Sequence, residues 1–160
     1  MHAASQKGAA SPKATSWPNC SLFAELEGFL PDFTAEVIER QKAEESPISP
    51  AGPFPIETQN KVGLDLMKAV GFDFDHGRLD ISHHPFCGGI PDDVRITTRY
   101  DVNDFTSAIM GVLHETGHAM YERGLPKDWR NQPVGKARGM TMHESQSLLI
   151  EMQVCRSRSF

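Results

Sequence analysis

His114-Glu115-Thr116-Gly117-His118 lies inside DFTSAIMGVLHETGHAMYERG, Asp104 to Gly124, and the conformation of that stretch decides both fold and chemistry. Phe105, Ile109, Val112, Leu113, Met120 and Tyr121 recur at intervals of three, four and seven, the period of a helix with one apolar face. Asp101, Asn103 and Asp104 are candidate N-caps, and Gly124 before Pro126 is a stop signal. On that helix His114 and His118 share one face, their Cβ atoms about 6 Å apart, so both imidazoles can reach one metal ion. Glu115 sits one step round the helix, close enough to hold a water activated by the ion without ligating it. H-E-x-x-H therefore predicts a zinc hydrolase site with a ligand pair and a general base. The competing reading is a pair of core histidines satisfied by backbone carbonyls.

A zinc site needs a third protein ligand. Glu122 lies on the same helix, but about 12 Å along the axis from His114, and three side chains of one straight helix cannot all meet one ion. It is left outside the ligand set, free to orient His118 or a neighbouring loop. The third histidine of the H-E-x-x-H-x-x-G-x-x-H proteases is absent, since Gly124 occupies its position. Downstream remain Asp128, His143, Glu144 and Glu151, with Asp128 too close to the helix end to fold back. His143-Glu144 follows a loop containing Pro133, Gly135 and Gly139 and opens a second helix with Leu148, Leu149, Met152 and Val154 as apolar positions. Glu144 is the favoured ligand; its alternative is a favourable charge in a helix's first turn.

HETGHAMYERGLP followed by HESQSLL resembles the carboxypeptidase Taq family of thermostable metallocarboxypeptidases. GRLDISHHPF (Gly77 to Phe86) and DDVRITTRY (Asp92 to Tyr100) are similar to two further signatures of that family, in family order and at family-like spacing. The resemblance runs from about Phe23 to the C-terminus. It implies His114, His118 and Glu144 as metal ligands, Glu115 as the catalytic glutamate, peptides with a free C-terminus as substrates, and a homodimer. Family members are much longer, and two later signatures, one with an Ile-Arg pair and one ending in His-Trp, have no counterpart here. The family's arginine for the substrate carboxylate belongs to that missing part. Helical periodicity still runs at Phe160, so the chain is read as the catalytic segment of a longer enzyme, with weak or no activity alone.

The 160 residues carry 39% hydrophobic residues and a net charge of −5, which argues against nucleic acid as a partner. No apolar run is long enough to span a bilayer, and no apolar signal core stands at the N-terminus. Cys20, Cys87 and Cys155 have no C-x-x-C spacing; reduced thiols in a cytoplasmic enzyme are the simplest reading. Cys87, close behind the HPF segment, is a candidate metal ligand, with an inert buried thiol as the favoured alternative.

The expected fold is mainly α: a helical metallopeptidase core with a short antiparallel β ribbon near the active site. Residues 1–20, rich in Ala, Ser, Lys and Pro, read as a disordered or non-native segment, and 21–160 as a partial catalytic domain. Leu22 to Glu45 is a helix with a break or fresh start at Pro31 and with Phe23, Leu26, Leu30, Phe33, Val37 and Ile38 as core candidates. Ile56 to Val70 is a second, closed by Gly71. Leu79 and Ile81 alternate with polar residues, as do Val94 and Ile96, and the turn-forming Cys87 to Asp92 joins the two as a ribbon. Such a ribbon offers an edge for an extended peptide. His84 and Arg95 are assigned to face the cleft, with a backbone-bonded turn residue and a salt bridge to Asp92 or Asp93 as their alternatives. His143 or Tyr100 is the expected oxyanion donor. Zinc suits two imidazoles and a carboxylate best, and cobalt or manganese accepts the same set. A metalloendopeptidase using the same residues, and a catalytically silent metal-binding fragment, stay open.

Overall fold

The computed structural model describes residues 19–44 and 50–160, and these fall into two compact units divided after Ser49. The expectation for the N-terminal segment lies outside the described residues up to position 18. In the first unit, α1 (Asn19–Ala43) runs without interruption through Pro31, where the sequence suggested a break. Proline removes only its own N–H from the ladder, and on an exposed helix the orphaned carbonyl can be hydrated. Phe23, Leu26, Leu30, Phe33 and Ile38, expected in a core, are exposed on it, and Val37 is half-buried.

The second unit starts with α2 (Ile56–Ala69). Gly71, at φ +95°, ends it in the left-handed conformation. The Gly71 amide donates to the Lys68 carbonyl and the Phe72 amide to the Met67 carbonyl, each at 2.9 Å. Both bonds of a Schellman cap are present, which is why the helix stops where the sequence places its glycine. Met67 is buried, whereas Val62 is exposed.

Three strands follow: β1 (Gly77–Ile81), β2 (Phe86–Ile90) and β3 (Asp93–Thr98), in the spatial order β1-β3-β2. An antiparallel ribbon is present, but its partners are β2 and β3, with Cys87 opposite Ile96. β1 pairs with the other side of β3 in parallel, Leu79 opposite Ile96. The segment read as a turn is thus itself a strand. Gly88 and Gly89 obscured its period, and Gly89 at φ +113° bends the chain towards Asp93. Val94 and Ile96 on β3 are buried against Met67, Phe72, Val112 and Ala119, forming the core between the sheet, α2 and α3.

α3 (Phe105–Gly124) is capped by Asp104, whose Oδ1 accepts from the amides of Thr106 and Ser107 at 3.0 and 3.2 Å. α4 (Met140–Leu148) continues into a π-helical segment, Leu149–Val154. The two helices cross at Gly117. A Cβ built there would stand 2.5 Å from Ser147 Cα and 2.7 Å from the Gln146 carbonyl oxygen. Only glycine lets the backbones approach so closely, and this crossing carries the start of α4 over the histidine face of α3.

Candidate metal centre

His114 and His118 project from the same face of α3, their ring centroids 4.9 Å apart. Glu144, in the first half of α4, reaches both: its Oε2 is 3.5 Å from His114 Nε2 and its Oε1 is 3.7 Å from His118 Nε2. One donor atom from each of the three residues lies within 4.8 Å of the others. Four tetrahedral bonds of the length zinc makes to nitrogen and oxygen place neighbouring donors about 3.4 Å apart. Each imidazole stands near that spacing from one oxygen of Glu144, and one atom from each residue lies within 4.8 Å of the others, so the three residues are of the type and proximity to hold a divalent ion.

The far side of each ligand is tied down. His114 Nδ1 stands 2.9 Å from Glu151 Oε2. Because that carboxylate only accepts, the Nδ1 atom carries the proton and Nε2 presents a lone pair towards Glu144. His118 Nδ1 meets His143 Nδ1 at 2.9 Å, and His143 Nε2 meets Glu122 Oε1 at 2.7 Å. The fully buried Ser147 hydroxyl shares its one hydrogen between the Glu144 carbonyl oxygen at 2.9 Å and Glu144 Oε2 at 3.0 Å. Burial pushes the pKa of His118 below the ordinary histidine value, against the opposing pull of Glu144, which favours the neutral ring that a metal requires.

The donors open into a cleft of about 390 Å³, bounded on one side by β2 and on the other by α3 and the start of α4. Glu115 lines this cleft without joining the donor set. Burial raises its pKa above the usual glutamate range; His114 opposes this and Glu144 adds to it. Cys87 also lines the cleft but is not among the donors. Burial, with Glu115 and Glu122 nearby, pushes its thiol up to about 12, so it remains protonated and unreactive.

The model of the carboxypeptidase Taq (M32) metallopeptidases matches residues 12–160. This chain belongs to that family. It is 44% identical over 140 residues to thermostable carboxypeptidase 1 of Thermus thermophilus, an overlap covering 87% of this chain and 27% of that protein. It is 40% identical to carboxypeptidase 1 of Bacillus subtilis over 87% of this chain and 28% of the relative. The solved structure of Trypanosoma cruzi metallocarboxypeptidase 1 superposes with a TM-score of 0.84 at 46% identity, covering 91% of this chain and 31% of that one. The chain therefore spans under a third of the length of these carboxypeptidase Taq relatives.

Within this carboxypeptidase Taq segment, Arg95, His84 and Tyr100 do not line the cleft, whereas His143 does. Arg95 is exposed and holds Asp93 with both Nε and Nη2, at 3.1 and 2.8 Å from Oδ2. Strand alternation puts it on the opposite face from Val94, which lines the cleft. His84 is exposed, and its carbonyl accepts from the Thr97 hydroxyl at 2.8 Å. Tyr100 accepts from Asn60 Nδ2 at 2.9 Å and borders a separate recess with Arg99, Asp101, Asp104 and Ser107. His143 borders the cleft, yet both its ring nitrogens are engaged, by His118 and Glu122, leaving no N–H to offer a substrate oxyanion. The contacts of Ser147 with Glu144 and of Glu151 with His114 are not evident from the sequence motifs. The spacing of these two residues, three and seven from Glu144, is the available signal, since it puts both on Glu144's face of a continuing helix; Ser147 lies in α4 and Glu151 in the π-helical segment that follows.

Proposed function

We propose that this segment carries the metal centre of a metallocarboxypeptidase, with His114, His118 and Glu144 as ligands of one divalent ion and Glu115 as general base. The observation that carries this reading is the convergence of three donor atoms from two helices beside an uncoordinated glutamate in one cleft. Zinc suits two neutral imidazoles and a carboxylate, and cobalt or manganese are the alternatives. When bound, such an ion acidifies a water and polarises a carbonyl. Glu115 accepts the proton of the attacking water and passes it to the leaving amine, from a site whose burial raises its pKa. Glu151 and the His143–Glu122 pair hold the two imidazoles with Nε2 facing inwards. β2 is an edge of its sheet and a wall of the cleft, so its backbone is placed to hold an extended peptide by strand addition.

Family membership supports peptides with a free C-terminus as substrates and, with the unpaired Cys87 and Cys155, a reducing, cytoplasmic setting; a homodimer completes the proposal. Metal content measured by elemental analysis after dialysis is the primary test. About one ion per wild-type chain and a large loss in His114→Ala or His118→Ala are expected; equal content in all three overturns the ligand assignment. Amidation of a substrate's C-terminus should abolish cleavage by the full-length form, and continued cleavage would favour an endopeptidase.

A further inference from the structure

We infer that Glu122 and His143 act together as positioning residues that set which nitrogen of His118 is free for the metal. This rests on the metal-site reading above and extends it to two residues outside the proposed ligand set. Most metal-bound histidines are oriented by a carboxylate or a carbonyl, as His114 is by Glu151. Those partners accept only, so they dictate the tautomer directly. An imidazole can donate or accept at either nitrogen, so His143 by itself leaves His118 undetermined. Two arrangements of a neutral pair satisfy the 2.9 Å contact between the Nδ1 atoms. In one, His118 donates and keeps Nε2 bare. In the other, His143 donates, and the proton on His118 Nε2 points at Glu144, where it blocks the donor set.

Glu122 removes the ambiguity. Its carboxylate stands 2.7 Å from His143 Nε2 and can only accept, so the His143 proton resides on Nε2. A neutral ring with its proton there is an acceptor at Nδ1. His118 must then donate from its own Nδ1, which leaves the Nε2 lone pair directed at the position shared with Glu144 and His114. The side chains of His118, His143 and Glu122 are 11%, 16% and 31% exposed, sheltered enough that water competes poorly for these bonds. The edge of the Tyr121 ring, 4.9 Å from His143 and at 89° to it, further restricts the imidazole's rotation. Two links separate the Glu122 carboxylate from the metal ligand, and each link fixes the next by its proton alone.

The test reads tautomers in the metal-free 160-residue chain labelled with ¹⁵N, at a pH well above the ordinary histidine range of about 6.5. Long-range ¹⁵N–¹H correlations should show His118 protonated at Nδ1 and His143 at Nε2. Glu122→Gln is nearly isosteric but presents both a donor and an acceptor. His118 should then become a mixture of tautomers, and cobalt affinity should fall about 10- to 100-fold. His143→Phe keeps the aromatic packing and should release His118 in the same way, while the His114 signal stays unchanged in both variants. If His143→Phe does not fold, Glu122→Gln carries the test. A wild-type His118 protonated at Nε2, or an Nδ1-protonated His118 that persists in Glu122→Gln, would overturn the relay. Failure of wild-type chain to bind cobalt would instead count against the metal-site reading, with the metal-free tautomer spectrum still deciding the relay.

Discussion

Glu115 and Glu144 are carboxylates to which the proposed mechanism gives different tasks, separated by position rather than by chemistry. Glu144 is aimed between two Nε2 atoms and held there by the Ser147 hydroxyl. Glu115 lines the cleft one residue from His114, outside the donor set, with its pKa raised chiefly by burial. Glu115→Gln should therefore retain the metal while a full-length form loses at least about a hundredfold in turnover, the scale for removing a general base. Metal analysis and kcat measured on the same preparation check both halves, and a near-normal kcat would assign the base elsewhere. The shared face of His114 and His118 was legible because it is local: helix geometry alone sets the spacing. Arg95 and Tyr100 were not legible, because whether a strand or loop side chain faces a cleft depends on what covers its other side. Asp93 takes Arg95 and Asn60 takes Tyr100.

The crossing of α3 and α4 brings Glu144 to the histidines, and Gly117 permits it. Gly117→Ala places a methyl against Ser147 Cα and the Gln146 carbonyl, neither of which can yield without moving α4. Overpacking of this kind costs about 1–3 kcal/mol, and the displaced helix carries Glu144 with it. Thermal melting should show lowered stability, and cobalt titration should show weakened binding although no ligand has been altered. Unchanged affinity would mean that α4 tolerates the shift. A second tie joins the loop after α3 to the β2–β3 turn, where Arg130 holds Asp92 with both Nη atoms, Nη2 at 3.2 Å from Oδ1. The Arg130 guanidinium keeps the Asp92 carboxyl below its ordinary pKa. A depressed folded-state pKa contributes stability above the unfolded value near 4 and loses it as pH falls through the folded value. Asp92→Asn should therefore lower Tm at pH 6, and the difference should shrink towards pH 3. A constant difference would show that the charge on Asp92 contributes nothing. Because the pair is exposed, added salt should also reduce the effect.

At the scale of the whole molecule, the described cleft is walled by Pro85, β2, Val94 of β3, α3 and α4. Phe86, Ile90 and Met140 border it with about two-thirds of their surface exposed, 65%, 63% and 67%. Phe23, Phe29 and Phe33 on α1 are similarly open. The relatives devote more than two-thirds of their length to sequence with no counterpart here. The 160-residue chain should therefore bind metal yet turn over a blocked dipeptide far more slowly than a full-length relative, since a free carboxylate without a cationic partner is neither desolvated cheaply nor well positioned. It should also self-associate, as open apolar faces of this extent do. Comparable turnover from a monomer in light-scattering-coupled chromatography would show that the segment is self-sufficient.

The α2 and α3 helices, the Gly71 cap and the placing of His114 and His118 on one helical face were legible in the sequence, because each depends on residues within one or two helical turns of one another; α4 was not, since it opens at Met140 rather than His143 and its π-helical continuation ends at Val154, short of Phe160. The passage of α1 through Pro31 was not, since it turns on whether one carbonyl meets solvent. Nor was the sheet: glycines blur a strand's period, and whether β1 lies beside β3 in parallel depends on the core that Met67, Phe72 and Val112 build beneath it. The roles of Glu122, His143 and Glu151 were likewise decided by tertiary structure. They lie 21 and 37 residues from their partners in pairs such as Glu122–His143 and His114–Glu151, and only the close crossing at Gly117 converts those separations into hydrogen bonds.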